Sequence, residues 1–296
     1  MATRRRPTTA GVLVVAVTLT LAALVADPAP GGAQTDPDQR GPAPTAASVI
    51  APRGPYPFAT TAVVGSSSLG FNRGTISYPT LTSETFGAVA VIPGFISPEA
   101  WIAWIGPFLA SNGFVVFTLD TFSGFDGPGS RAAQLDAALD YLTNGAPAAV
   151  RARVDPRRLG AVGHSSGGGG ALVLAASRSQ PDLRAIVSLQ PWSIAEPATT
   201  VRVPTLQVGV ADDVIAPPGV NARAVHAQIP ATTEHAYLEI SSGGHFVGNG
   251  YQADQARAML SWLKRFVDDD TRYSPFVCPG PAVGGAVSAY PSTCPV

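Results

Sequence analysis

Along most of the chain, short apolar runs alternate with stretches in which apolar residues recur at helical spacing. Short apolar runs predict strands at residues 58–64, 74–78, 86–92, 114–119, 159–163, 185–189, 205–210 and 236–240. Apolar residues at helical spacing predict helices at residues 98–111, 130–142, 168–177, 217–228 and 252–267. The first two strands are expected to be antiparallel, and from residue 86 onward strands and helices alternate. This order predicts an α/β fold, with a mostly parallel central sheet flanked by helices on both faces.

Three local expectations follow from the same pattern. Trp101 and Trp104 share the apolar face of the helix predicted at 98–111 and are expected in the core. Residues 155–158 are expected to form a turn before the strand at 159–163. The fifteen residues from 190 to 204 that separate two predicted strands are too few for a lid domain. An open cleft is therefore expected.

The composition favours a globular enzyme. The chain has 296 residues, of which 46% are hydrophobic and 13% charged, with a formal net charge of -1. This length can bury a full core, and the charge balance argues against a nucleic-acid partner. The 31 glycines and 28 prolines follow no repeat, which indicates many loops rather than disorder.

The N-terminus predicts export. Arg4, Arg5 and Arg6 precede an apolar run at residues 11–25, whose 15 residues are short for a membrane span. Small residues follow, with cleavage expected near Ala33 or, alternatively, Ala26. The predicted organisation is a signal peptide at 1–33, an extended lead-in at 34–57 and one catalytic domain at 58–296. The mature protein is expected to be extracellular and free of the membrane, an uncleaved anchor being the less favoured alternative.

The two cysteines lie near the C-terminus. Cys278 and Cys294 are the only pair in the chain, and an isolated pair in an exported protein favours a disulfide. Without histidines close by in the sequence, they do not resemble a zinc site. No metal-ligand cluster is predicted and no cofactor is expected.

The segment Gly163-His164-Ser165-Ser166-Gly167 joins a predicted buried strand to a predicted helix. A Gly-x-Ser-x-Gly sequence at such a junction is typical of the nucleophile elbow of α/β-hydrolases, a sharp turn that presents the Ser165 hydroxyl. The glycines of the following run at 167–170 are interpreted as helix packing, because the lysine of a phosphate-binding loop is missing.

A serine hydroxyl needs a base and an orienting acid to attack an ester. Of the four histidines, His245 lies in a Gly-rich loop between the last predicted strand and the last helix, where this fold places its base. His235 is expected at the surface. The acid is expected after the strand at 205–210, where Asp212 and Asp213 are not separated by spacing alone.

Two backbone N–H groups are predicted to bind the oxyanion of the tetrahedral intermediate. One is that of Ser166, directly after the nucleophile, and the other is that of Phe95, in the loop after the third strand. Because the backbone supplies both donors, the side chains at these positions affect the shape of the site more than its charge.

Several segments together resemble the actinobacterial cutinase/polyester hydrolase family, which includes enzymes that hydrolyse poly(ethylene terephthalate). They are the elbow with its glycine run, Pro93-Gly94-Phe95, Gln190-Pro191-Trp192, Asp213-Val214-Ile215-Ala216-Pro217, His245-Phe246, and the segment Val267-Asp268-Asp269-Asp270-Thr271-Arg272-Tyr273. The resemblance covers the chain from about Asp36 to the C-terminal cysteines.

The resemblance implies roles for individual residues. Ser165 would be the nucleophile, His245 the base and Asp213, rather than Asp212, the acid. Trp192, Ile215 and Phe246 would line the acyl-binding cleft, and Phe95 would also bind the substrate. The family's C-terminal disulfide matches Cys278 and Cys294. Members commonly have Met where this chain has Ser166, and commonly Tyr where it has Phe95. A wider, more polar pocket is the hypothesis that follows from Ser166.

The predicted function is that of a secreted serine esterase acting on polyesters such as cutin or poly(ethylene terephthalate). A short-chain acylglycerol lipase or general carboxylesterase would use the same residues, and an exported acyltransferase is a further alternative. A non-catalytic binding protein on this scaffold is disfavoured by the intact Ser, Asp and His. A monomer is the default expectation, and the resemblance leaves open whether a divalent cation stabilises the fold.

Overall fold

The computed structural model describes residues 1–2, 38–178, 182–192 and 198–294, and Asp36–Val296 form one compact unit. Residues 3–33 of the predicted signal peptide, with both cleavage sites, lie outside the described residues. The strands are β1 (Phe58–Ser66), β2 (Phe71–Pro79), β3 (Phe86–Ile92), β4 (Val115–Asp120), β5 (Val154–His164), β6 (Leu183–Leu189), β7 (Thr205–Val210), β8 (His235–Ile240) and β9 (Val287–Ala289). The α-helices are α1 (Ile105–Ser111), α2 (Pro128–Asp140), α3 (Ala148–Arg151), α4 (Ser166–Ser177), α5 (Ala222–His226), α6 (Ala253–Phe266) and α7 (Ser274–Val277).

All nine described strands form one sheet in the order β1-β2-β4-β3-β5-β6-β7-β8-β9. The strands from β3 to β8 are parallel to their neighbours within that set, whereas β1, β2 and β9 pair antiparallel at the two ends. In parallel α/β sheets, the loops at the carboxyl ends of the strands form the binding crevice. The α/β fold class predicted from the sequence is confirmed.

The central strands of the sheet are buried on both faces because they alternate their side chains between two cores. In β3, Val89 and Val91 belong to one hydrophobic cluster, with α1 and α6, whereas Ala88, Ala90 and Ile92 belong to the other, with α2 and α4. Burial on both faces explains why β3 is an unbroken apolar run rather than an alternating one.

Several predicted boundaries were wrong. The helix predicted at 98–111 is broken into a 3₁₀ turn, Glu99–Trp101, and α1. Residues 155–158 do not form a turn but belong to β5, whose pairing with β3 shifts register near its start. The helix predicted at 217–228 is reduced to α5, and β9, α3 and α7 were not predicted. Short elements carry too few periodic residues to be visible in the sequence.

The described part of the lead-in packs on the domain instead of standing apart from it. Val49 is buried in the core, and the Tyr56 ring meets Phe86 edge to face at 5.1 Å. Val49 and Tyr56 therefore contribute to the packing of the domain, and the boundary at residue 58 stays a prediction. At the other end, a disulfide joins Cys278 and Cys294, as predicted.

Candidate active site

The Ser165 backbone makes a strained turn between β5 and α4. Its φ and ψ angles are 56° and -121°, outside the regions that a non-glycine residue ordinarily occupies. Its N–H donates to Leu189 O at 2.9 Å, and its carbonyl oxygen accepts N–H groups from Gly169 at 3.1 Å and Trp192 at 3.0 Å. Hydrogen bonds from three sides therefore hold this conformation.

Glycine is required on both sides of the turn because the backbone segments come very close. A Cβ atom on Gly163 would lie 1.9 Å from Gly167 O, and one on Gly167 would lie 2.5 Å from Pro93 O. These are backbone atoms, which cannot swing away as a flexible side chain could. The close crossing of strand and helix predicted from the Gly-x-Ser-x-Gly motif therefore leaves room only for glycine at positions 163 and 167.

The structure brings together Ser165, His245 and Asp213, which lie up to 80 residues apart in the chain. His245 Nε2 lies 2.8 Å from Ser165 Oγ, and His245 Nδ1 lies 2.7 Å from Asp213 Oδ2. The Asp213 carboxylate accepts the Nδ1–H, so Nε2 is left to accept the serine proton. All three side chains are buried, which keeps water from competing for these bonds.

The two adjacent carboxylates, which spacing alone did not separate, have different partners. Asp213 Oδ1 accepts the N–H groups of Ile215 at 2.9 Å and Ala216 at 2.8 Å, so its other oxygen faces His245. Asp212 instead accepts the N–H groups of Gly244 at 2.8 Å and Gly243 at 3.2 Å. These donors hold the pKa of the Asp212 carboxyl below its usual value. Asp212 therefore anchors the loop that carries His245, and Asp213 contacts the imidazole.

His164 forms a hydrogen bond to the loop that carries His245. Its Nε2 lies 3.0 Å from the carbonyl oxygen of His245, an acceptor, so Nε2 carries the proton. Burial lowers the pKa of His164 to about 4, which keeps the ring neutral at ordinary pH. Its Nδ1 is buried and has no hydrogen-bond partner within the described residues.

The expectation that His235 lies at the surface was wrong. His235 is buried, with its Nδ1 2.7 Å from Thr233 O and its ring 4.6 Å from that of His226. Burial, followed by the neighbouring His235, lowers the pKa of His226 to about 4. Neither ring takes part in the hydrogen bonds around Ser165.

The two predicted oxyanion donors are positioned by separate elements. The Ser166 N–H belongs to the first turn of α4, where amides have no acceptor within the helix. The Phe95 N–H has no acceptor within the described residues, whereas its neighbour Ile96 donates to Gly124 O at 2.7 Å. Buried Arg131 fixes this loop by donating to Pro93 O at 2.8 Å and Gly124 O at 3.2 Å. Burial lowers the pKa of Arg131 to about 10.

A cavity of about 350 Å³ opens beside the Ser165 hydroxyl. Its lining contains Phe95, Ser166, Trp192 and Ile215, all proposed for the site from the sequence. Phe246, which was also predicted, is not part of this lining. The lining also contains Phe125 and Gly127, which were not predicted. Both follow β4, and loops at the carboxyl ends of the strands form the binding crevice in this kind of sheet, so their position was a signal that could have identified them. Phe95, Phe125 and Trp192 are exposed large aromatics, and we call these three the aromatic rim.

Trp101 was wrongly placed in the core by the helical pattern. The helix breaks after Glu99–Trp101, so Trp101 turns outward and is 41% exposed. Trp104 remains half-buried and donates its Nε1–H to Gly248 O at 2.9 Å. The break in the helix thus separates two tryptophans that the periodicity treated alike.

Within residues 38–178, 182–192 and 198–294, no three or more His, Cys, Asp or Glu side chains are arranged to hold a metal ion. In the same part of the chain, no helix is long and apolar enough to cross a bilayer. The expectation that no cofactor is required stays a prediction, and cation stabilisation stays open.

Known proteins with similar sequences are ester hydrolases, in agreement with the geometry of the site. The PETase family model, described as PET hydrolase-like, matches residues 32–295. The bis(hydroxyethyl) terephthalate hydrolase of Streptomyces coelicolor is 47% identical over 293 residues, 98% of this chain and 92% of the relative. Cutinase 2 of Thermobifida cellulosilytica is 46% identical over 88% of this chain and 99% of its own. Cutinase cut1 of Thermobifida fusca is 46% identical over 88% of this chain and 81% of its own. The chain therefore belongs to the PET hydrolase-like family.

Proposed function

We propose that this protein is a serine esterase that hydrolyses the ester bonds of polyesters such as cutin or poly(ethylene terephthalate). The observation that carries the proposal is the buried hydrogen-bonded series Asp213–His245–Ser165, with distances of 2.7 and 2.8 Å, whose serine lines a cavity with aromatic walls. Relatives named cutinase and bis(hydroxyethyl) terephthalate hydrolase support the substrate class.

In the first half of the reaction, His245 Nε2 takes the proton of Ser165 as Oγ attacks the ester carbonyl carbon. The resulting oxyanion is bound by the N–H groups of Ser166 and Phe95. The C–O bond to the alcohol then breaks, and His245 gives its proton to the departing oxygen. An acyl-enzyme on Ser165 remains.

In the second half, a water molecule replaces the alcohol. His245 Nε2 removes a proton from the water, which attacks the acyl carbon, and the same two N–H groups bind the second oxyanion. Collapse releases the acid and returns the proton to Ser165. Asp213 stabilises the imidazolium formed in both halves and keeps the imidazole in the required tautomer.

The cleft supports the choice of an extended substrate. Phe95, Phe125 and Trp192 offer aromatic faces beside Ser165, and such faces suit the flat acyl unit of an aromatic ester. A general carboxylesterase or short-chain acylglycerol lipase would use the same triad and is the second candidate.

We further propose that the chain is exported after removal of residues 1–33 and acts outside the cell as a monomer.

The test is hydrolysis by the chain from residue 34 to 296, with the Ser165→Ala variant as the control. The substrates are p-nitrophenyl butyrate, soluble bis(2-hydroxyethyl) terephthalate and amorphous poly(ethylene terephthalate) film. Activity on all three that is lost in the variant is the expected result. Activity on p-nitrophenyl butyrate alone would move the assignment to a general esterase. A folded wild-type protein active on none would overturn it.

A further inference from the structure

Two large aromatic side chains lie edge to face outside the cavity beside Ser165. The rings of Trp101 and Phe246 are 5.7 Å apart at an interplanar angle of 78°. Trp101 is 41% exposed and Phe246 is 51% exposed, so both offer apolar surface to solvent. Neither lines the cavity beside Ser165. We call Trp101 and Phe246 the aromatic pair.

The aromatic pair is located on the His245 side of the nucleophile. The Phe246 ring lies 5.3 Å from the His245 ring at an angle of 77°, and 6.5 Å from the His164 ring. The cavity lining, by contrast, includes Ser165 and Ser166 but not His245. The site thus has two apolar regions, one next to the base and one next to an oxyanion donor.

The reaction proposed above assigns a different half of the ester to each region. The departing alcohol oxygen must lie within reach of His245 Nε2, because that atom returns the proton. The alcohol half therefore extends over the base, toward Phe246 and Trp101. The acyl half extends the other way, into the cavity that contains Ser166 and the aromatic rim.

We propose that Trp101 is a specificity-determining residue for the alcohol half of the ester, and that the aromatic pair binds alcohols that carry an aromatic ring. This inference rests on the proposed esterase function and adds a division of the substrate between two aromatic surfaces. Aromatic rings prefer edge-to-face or offset contacts, and an exposed aromatic pair next to the leaving group provides such a contact.

The turn that carries Trp101 is fixed independently of the catalytic loops. Glu99 Oε1 accepts the Thr118 hydroxyl at 2.6 Å, and the Glu99 N–H donates to Asp120 Oδ1 at 3.3 Å, which ties the turn to β4. The Trp101 N–H donates to Pro98 O at 3.1 Å. Because the Trp101 indole makes none of these bonds, its removal is expected to leave Ser165 and His245 in place.

The experiment compares kcat/KM for esters that differ in one half only. Methyl benzoate and 2-phenylethyl benzoate share the acyl half, whereas methyl acetate and methyl benzoate share the alcohol. Since kcat/KM reports the steps up to formation of the acyl-enzyme, it senses both halves. Trp101→Ala is measured beside Phe125→Ala, a matched truncation of an exposed aromatic on the cavity side, and beside Trp101→Phe, which keeps a ring.

Trp101→Ala is expected to lower kcat/KM for 2-phenylethyl benzoate roughly three- to tenfold relative to methyl benzoate, the range expected for one aromatic contact. The benzoate-to-acetate ratio should stay as in the wild type. Phe125→Ala should do the reverse, and Trp101→Phe should recover most of the preference for 2-phenylethyl benzoate. Activity on methyl acetate, which carries neither an aromatic acyl half nor an aromatic alcohol, reports whether each variant is folded.

An unchanged alcohol preference in Trp101→Ala, or a changed acyl preference, would overturn the inference while leaving the esterase function intact. Failure of the proposed function is distinguishable, because the wild type itself would then hydrolyse none of these esters.

Discussion

The buried triad and the exposed aromatic rim differ in how their side chains are held. Ser165, His245 and Asp213 are buried, and each makes hydrogen bonds of 2.7 to 2.9 Å to a defined partner. Of the rim, Phe95 and Phe125 meet edge to face, with ring centroids 5.5 Å apart. Proton transfer depends on short, directed contacts, whereas apolar contact tolerates small displacements. Changes in the buried region should therefore abolish activity, and changes at the rim should redistribute it.

The largest effect is expected from replacing the Asp213 carboxylate, whose Oδ2 accepts the His245 Nδ1–H. Asp213→Asn should lower kcat for p-nitrophenyl butyrate by roughly 10⁴, because an amide favours the wrong tautomer of His245. Asp212→Asn is the matched control, since its amide oxygen can still accept the Gly244 N–H that Asp212 accepts on Oδ1, while the bond from the Gly243 N–H to Oδ2 is lost. It should lose less than about tenfold, the value of one lost hydrogen bond. Equal losses in both variants would contradict the separate roles of the two carboxylates.

Acid should destabilise the buried region through His164. Its pKa is lowered to about 4 in the folded protein, from about 6.5 in an unfolded chain, so the unfolded state binds more protons between these values. The contribution to stability is present above pH 6.5 and is lost as the pH falls toward 4, by roughly 3 kcal/mol at about 1.4 kcal/mol per pKa unit.

The measurement is the free energy of unfolding in urea at pH 7 and pH 4.5, for the wild type and His164→Phe. His226 has a pKa lowered in the same direction and remains in both proteins. The wild type should lose more stability than the variant on acidification. Parallel losses would show that His164 is not the group responsible.

A moderate effect is expected from the hydrogen bond between His164 and the His245 carbonyl. His164→Phe should lower kcat by about tenfold at pH 8, because one buried bond contributes about 1 kcal/mol and its acceptor is left unpaired. His164→Gln keeps a donor and should recover part of the loss. If the Gln and Phe variants are equally impaired, ring packing rather than the hydrogen bond positions His245.

The smallest effect is expected at the cavity wall. Ser166→Met should raise the preference for aromatic over aliphatic polyester by roughly two- to tenfold, the range of a sulfur–aromatic contact. The backbone donor of residue 166 is retained, so activity on p-nitrophenyl butyrate serves as the control. An unchanged relative preference would refute the hypothesis that Ser166 makes the pocket wider and more polar.

The sequence anticipated the residues of the candidate site better than their surroundings. Ser165, His245 and the pair Asp212 and Asp213 were found because the order and spacing of the motifs are tied to strand ends in this fold. Phe125 was missed because a loop has no periodicity, and Trp101 was misplaced because helical spacing continues past the break at residue 101. Both errors concern residues whose position depends on how a loop is anchored.

The sequence by itself determined the fold class, the elbow and the candidate nucleophile and base. Local sterics and hydrophobic periodicity are properties of neighbouring residues, and they point to one arrangement. Spacing left Asp212 and Asp213 equivalent, and only the tertiary structure showed that Asp213 contacts the His245 imidazole. It alone showed that His164 bonds to the His245 carbonyl, and that Trp101 and Phe246 meet outside the cavity. Those contacts join residues far apart in the chain, and hydrogen-bond and ring geometry in three dimensions, rather than spacing, determines them.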